Sequence, residues 1–121
     1  MAKSVLIVDD SVSIRQMVSH ALKGAGYEVS DAPDGQAALD KARQTNLDLV
    51  ITDQNMPRLD GIGLTKALRS DSRHRRTPIL ILTTEASEEM KAKGKAAGAT
   101  GWLVKPFEPG KLLQVVQKVI G

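Results

Sequence analysis

The sequence predicts an α/β fold: one five-stranded parallel sheet with helices on both faces. Three observations carry this prediction. Five short apolar runs rich in branched residues recur along the chain, and such runs bounded by turn residues read as buried strands. Between them lie stretches whose apolar residues recur at helical spacing. The two kinds alternate strictly, which implies parallel strands joined by right-handed crossovers. At 121 residues the chain makes one domain. A closed eight-unit barrel would need about twice that length.

Val5-Leu6-Ile7-Val8 is the first strand and stops at Asp9-Asp10. Ile14, Met17, Val18, Ala21, Leu22 and Ala25 then follow helical spacing. Ser11 or Ser13 can cap that helix, and Gly24 and Gly26 mark its end. Tyr27 to Ala32 alternates and reads as a more exposed, edge-type strand. Pro33-Asp34-Gly35 is a turn, and Ala37, Ala38, Leu39 and Ala42 give a short helix. Leu47 to Thr52 is the third strand, ending at Asp53, with Pro57 close behind as the mark of a loop. A third helix runs through Ile62, Leu64, Ala67 and Leu68, and a polar, solvated loop spans Ser70 to Thr77. Pro78 opens the fourth strand, where a proline is tolerated, and Thr83 and Thr84 end it. Ser87 to Ala97 reads as a helix with Gly94 inside it, at a cost of about 1 kcal/mol against alanine. Gly101 to Val104 is the fifth strand, ended by Lys105-Pro106. Pro109 opens the last helix, which buries Leu112, Leu113, Val116, Val119 and Ile120.

Composition narrows the function classes. There are no cysteines, so disulfides and thiolate metal sites are excluded. No apolar run is long enough to span a bilayer, and the N-terminus shows no signal-peptide pattern; a cytoplasmic protein without membrane association is expected. The net charge of +3 is a mild bias that a solvated surface explains, and aromatic residues make up 2% of the chain. Both argue against nucleic-acid binding. His20 and His74 have no second ligand nearby in sequence, so neither receives a metal role.

The chemistry lies at the strand ends. Four of the five apolar runs end in a reactive residue: Asp9-Asp10, Asp53, Thr83 and Lys105. Each alone fits a blander part, as a helix cap, turn former or solvated charge. In a parallel sheet, however, all these ends share one rim, with neighbouring strands about 4.8 Å apart, and that rim is where open α/β sheets bind ligands. Three converging carboxylates repel unless a cation joins them. A hard dication such as Mg²⁺ suits carboxylate oxygens and phosphate. A lysine and a hydroxyl suit phosphoryl oxygens, and a carboxylate can act as the nucleophile. The chemistry this suggests is metal-assisted phosphoryl transfer to Asp53, with the Asp9-Asp10 pair as the metal base.

Leu6 to Asp10, Asp53-Gln54-Asn55-Met56-Pro57-Arg58-Leu59-Asp60-Gly61, Thr83 and Val104-Lys105-Pro106-Phe107 together resemble the signature set of the response-regulator receiver domain, across essentially the whole chain. With nothing after the last helix, the chain most resembles the stand-alone, chemotaxis CheY-type members. The resemblance implies a doubly wound, flavodoxin-like (βα)5 fold with strand order 2-1-3-4-5, as one receiver domain over residues 1–121 with no output domain. It implies a phosphorylation switch rather than an enzyme with turnover. Asp53 would accept phosphate from a CheA-like sensor histidine kinase or a small phosphodonor. Asp10, Asp53 and the backbone carbonyl of Asn55 would hold Mg²⁺, with Asp9 contributing through water. Lys105 would pair with the phosphoryl oxygens, Thr83 would move to bond one of them, and the Lys105–Pro106 bond would be cis. Asn55 and Glu85 occupy the two positions that tune phosphate loss.

Trp102 departs from the family's usual Tyr or Phe at the aromatic switch position. Indole is larger than phenol and its N–H needs a partner when buried, so it either stays outside, rotates less completely, or simply packs beside the last helix. Gly94 either loosens its helix or is merely tolerated. The output face implied is the fourth helix, fifth strand and fifth helix, where Lys91, Lys93, Lys95, Lys111 and Lys118 suit an acidic partner or are simply solvated. A monomer is expected, with a flagellar motor switch protein as a possible target and a phosphatase as a further partner. A phosphate sink, a relay intermediate or a regulator of pilus motility would share the fold. A haloacid-dehalogenase-type phosphohydrolase needs Asp-x-Asp on the first strand, where this chain has Asp9-Asp10-Ser11-Val12. A flavodoxin-like FMN carrier needs a Ser/Thr/Gly-rich loop at the same place.

Overall fold

The computed structural model describes residues 2–106 and 108–121; Phe107, the last residue of the motif that begins at Val104, lies outside them. The elements run β1 (Ser4–Val8), α1 (Val12–Gly24), β2 (Glu28–Ala32), α2 (Gly35–Ala42), β3 (Leu49–Thr52), α3 (Gly61–Arg69), β4 (Ile79–Thr83), α4 (Glu88–Ala97), β5 (Gly101–Val104) and α5 (Pro109–Ile120). All strand pairs are parallel, in the order β2-β1-β3-β4-β5.

The continuous apolar runs of β1, β3 and β4 occupy the centre because successive side chains must be buried on opposite faces. Val5, Ile7, Leu49, Ile51, Leu80 and Leu82 face α1 and α5, through Val18, Leu22, Leu112 and Val116. Leu6, Val8, Val50 and Ile79 face α2 and α3, through Ala38, Leu39, Leu64 and Leu68. The alternating β2 takes one edge and β5 the other.

Helix starts follow their capping residues. Ser11, not Ser13, caps α1 by accepting from the Ile14 N–H, and Asp34, Asp60 and Ser87 cap α2, α3 and α4 in the same way. Such caps contribute about 1 kcal/mol each. Gly98, at φ 107°, closes α4 in a left-handed conformation suited to glycine. No helix among the described residues is long and apolar enough to cross a membrane.

Three expectations need correction. β3 begins at Leu49 rather than Leu47. His74 is not solvated: it is fully buried, although Arg73, Arg75 and Arg76 around it are exposed. Its Nε2 lies 2.6 Å from the Ala42 carbonyl and its Nδ1 lies 3.2 Å from Thr77 Oγ1. A carbonyl only accepts, so Nε2 donates to it, and Nδ1 shares a hydrogen bond with the Thr77 hydroxyl. The imidazole thereby satisfies a carbonyl left over at the C-terminal end of α2. The third correction concerns Gly94 and Trp102: the glycine is not merely tolerated. A Cβ there would stand 2.8 Å from two ring carbons of Trp102, so the indole packs on the backbone of α4 rather than beside the last helix.

Candidate functional site

The sheet ladder continues one residue past three strands and so places the predicted side chains. The Asp9 N–H donates to the Ala32 carbonyl, the Asp53 N–H to Val8 and the Lys105 N–H to Thr83. Because Val8 pairs with Thr52, Thr52 with Ile81 and Thr83 with Val104, these residues and Thr83 share the carboxyl rim. One carboxylate oxygen from each of Asp9, Asp10 and Asp53 lies within 4.8 Å of the others.

Asp9 is 3% exposed. Its Oδ1 accepts from the Ser11 N–H at 2.9 Å, and its carbonyl accepts from Arg15 Nη1 at 2.6 Å. The Arg15 Nε also donates to Asp31 on β2, so the loop after β1 is anchored to the edge strand. Lys105 Nζ lies 2.8 Å from Asp9 Oδ2 and 3.3 Å from Asp53 Oδ2. Burial by itself depresses the Lys105 pKa. The hydrogen bond that Lys105 donates to Asp9 and the charges of Asp53 and Asp9 outweigh it, and the pKa lies above the ordinary lysine value. Asp10 stands exposed at the mouth. Thr83 is fully buried, and its Oγ1 accepts from the Glu85 N–H at 3.2 Å. Trp102 is half-buried and its Nε1 donates to the Glu85 carbonyl at 2.8 Å. The Lys105–Pro106 bond is cis.

Sequence reasoning missed Gln54, which is 3% exposed. Its Oε1 accepts from the Ile62 N–H at 2.8 Å, its Nε2 donates to Asp60 Oδ2 at 3.2 Å, and its carbonyl accepts from the Gly61 N–H at 3.0 Å. These bonds clamp the loop after β3 onto the start of α3. A Cβ on Gly61 would meet the Asp53 carbonyl at 2.4 Å, so the clamp closes only over glycine. The one available signal was a polar side chain next to the lone Asp53. In the same loop Arg58 sits at φ 72°, and the Leu59 N–H donates across it to the Pro57 carbonyl. This tight three-residue turn is a strained conformation for a residue bearing a side chain. Asn55 is exposed two residues beyond Asp53.

The donor set is all oxygen, which selects a hard cation over zinc or copper. Three carboxylates against one ammonium leave negative charge for a dication to balance. Asp9, Asp10 and Asp53 therefore fit a magnesium-type ion.

An acidic pocket clasped by a lysine, at the carboxyl rim of a 2-1-3-4-5 sheet, defines a class of protein: the phosphorylation-controlled switches of two-component signalling. The chain belongs to the response regulator receiver domain family, whose model matches residues 5–117. It is similar to the chemotaxis protein CheY of Pseudomonas aeruginosa, 35% identical over 116 residues that cover 95% of this chain and 94% of that protein. Among solved structures it is similar to Vibrio cholerae chemotaxis protein CheY4, with TM-score 0.95, 56% identity and coverage of 98% and 99% of the two chains. It is also similar to the receiver domain of a Pseudomonas aeruginosa sensor histidine kinase solved with a magnesium ion coordinated in its active site cleft. There the TM-score is 0.92, the identity 30%, and the coverage 100% of this chain and 99% of that one.

Proposed function

We propose that Asp53 is the phosphoacceptor, with Asp9, Asp10 and Asp53 side chains and the Asn55 carbonyl as the oxygen set for Mg²⁺. The observation that carries this is the convergence of three carboxylates on one ammonium at the sheet rim. A carboxylate oxygen of Asp53 attacks phosphorus of a phosphohistidine or a small phosphodonor. A P–O bond forms to Asp53 as the bond to the leaving group breaks. Bound Mg²⁺ would supply charge neutralisation for the phosphoryl oxygens. Lys105 gives up its bond to Asp53 and pairs with a phosphoryl oxygen, its raised pKa keeping it charged at neutral pH. Thr83 donates its hydroxyl proton to another phosphoryl oxygen, and its movement is the start of the signal. Asp9, held by Ser11 and Arg15, keeps the loop after β1 in place throughout.

The partners that suit this reading are a CheA-like histidine kinase upstream and a motility target such as a flagellar motor switch protein downstream, in the cytoplasm. Support comes from the similarity to chemotaxis CheY proteins across nearly their full length. A phosphate-sink, relay or pilus-motility role would use the same site, and a pull-down with and without beryllofluoride separates these outputs. The chain turns over no other substrate; hydrolysis of a generic phosphate ester would contradict that.

The direct test is intact-mass measurement after incubation with acetyl phosphate and Mg²⁺. The expected result is one added phosphoryl group on the native chain and none on Asp53→Asn. Equal labelling of both would overturn the assignment.

A further inference from the structure

Helix α4 has one buried residue, and it is a glycine, Gly94. A Cβ there would lie 2.8 Å from both Cε3 and Cζ3 of Trp102, closer than non-bonded carbons pack. The indole fills the space a side chain would take. Its other end is tied down, with Nε1 donating to the Glu85 carbonyl at 2.8 Å. The N–H of the same Glu85 donates to Thr83 Oγ1 at 3.2 Å. One residue thus links the indole to the hydroxyl at the reactive rim. The glycine that weakens a helix and the tryptophan in the edge strand are two halves of one packing arrangement.

We propose that Gly94 is a positioning residue: by withholding a side chain it seats the Trp102 indole on α4, and through Glu85 that seat sets where the Thr83 hydroxyl stands when Asp53 is phosphorylated. The inference rests on the phosphorylation reading of Asp53. Its physical basis is the rigidity of the ring. An indole cannot bend around a methyl group; it must swing as a unit. The open side is the groove bounded by Lys91, Lys95 and Thr100. Swinging that way draws Nε1 off the Glu85 carbonyl, frees the loop between β4 and α4, and releases the N–H that orients Thr83.

The test compares the native chain with Gly94→Ala, Trp102→Ala and the double variant. Alanine is the better helix former, so Gly94→Ala is expected to stay folded, with circular dichroism as the check. Trp102 is the chain's one tryptophan and reports its own position. In Gly94→Ala its emission should shift to longer wavelength and acrylamide quenching should rise several-fold. The rate of Asp53 phosphorylation by acetyl phosphate should fall by about three- to tenfold, the scale of one neutral hydrogen bond. In the Trp102→Ala background the same substitution should leave the rate unchanged, since there is no ring to displace. A role confined to helix stability would not depend on Trp102. Unchanged quenching in Gly94→Ala overturns the seat. An unchanged rate, or the same fall in both backgrounds, overturns the positioning role. Absence of phosphorylation in the native chain would overturn the Asp53 reading and the positioning role with it, while quenching still decides the seat.

Discussion

The Lys105 ammonium bridges Asp9 and Asp53, donating to Oδ2 of the first at 2.8 Å and Oδ2 of the second at 3.3 Å. The bridge is well screened from water, with side-chain exposures of 13% for Lys105, 4% for Asp9 and 12% for Asp53. One cation from the end of β5 thus holds the ends of β1 and β3 together.

Lys105→Met removes the cation and leaves the carboxylates facing one another. With chelator present the variant should be less stable by about 1–3 kcal/mol, below the value for a fully buried pair because the Asp10 side is open to water. Mg²⁺ should recover most of that loss by replacing the missing charge. Urea unfolding with and without Mg²⁺ measures both, and equal losses in the two conditions would contradict the arrangement.

The same bridge sets an alkaline limit. The folded-state pKa of Lys105 lies above its ordinary value. Its stabilising contribution is therefore complete below the unfolded lysine pKa of about 10.4 and is lost as pH rises through the higher folded value. The stability gap between the native chain and Lys105→Met, measured by thermal melts in chelator from about pH 8 to about pH 12, should be flat at first and then close. A gap that widened with pH would show the opposite sign.

Gly61→Ala should damage the site while sparing the fold. Its Cβ would press on the Asp53 carbonyl at 2.4 Å, and backbone cannot rotate aside as a side chain can. A loss of about 1–3 kcal/mol is expected from the overpacking, together with slower phosphorylation as the loop after β3 shifts. Thermal melts and acetyl phosphate kinetics on one preparation separate the two effects.

His74→Leu should do the reverse. It leaves the Ala42 carbonyl and the Thr77 hydroxyl without their partner, at about 1–3 kcal/mol per unsatisfied buried group. The loop before β4 is at the opposite end of the sheet from Asp53, so phosphorylation below the melting range should proceed at the native rate. A large kinetic defect in a folded variant would reveal an unexpected link between the two ends.

Asn55 is exposed beside Asp53, and Glu85 is half-buried in the loop after Thr83. Asn55→Arg and Glu85→Arg should each change the decay rate of the phosphorylated state without preventing its formation. Decay followed by intact mass after donor removal is the measurement, and native decay in both variants would exclude these positions as determinants of lifetime.

Asp9, Asp53, Thr83 and Lys105 were legible because the reasoning needed only local information. A short apolar run bounded by turn residues reads as a strand, the polar residue after it marks its end, and parallel strands bring such ends to one rim. The order 2-1-3-4-5 came from resemblance, since apolar runs of similar length do not say which lie next to each other. Gln54 and His74 were not legible. Their partners lie 6 to 8 and up to 32 residues away in the chain, at distances no periodicity reports.

The sequence by itself thus determined the elements, their alternation and which polar residues end the strands at the carboxyl rim, because hydrophobic periodicity and strand termini are written in consecutive residues. Tertiary structure alone decided that Lys105 clasps Asp9 and Asp53, that His74 is buried against α2, and that Gly94 gives its space to Trp102. The physical reason is close packing: which side chain fills which gap depends on atoms brought together from distant parts of the chain.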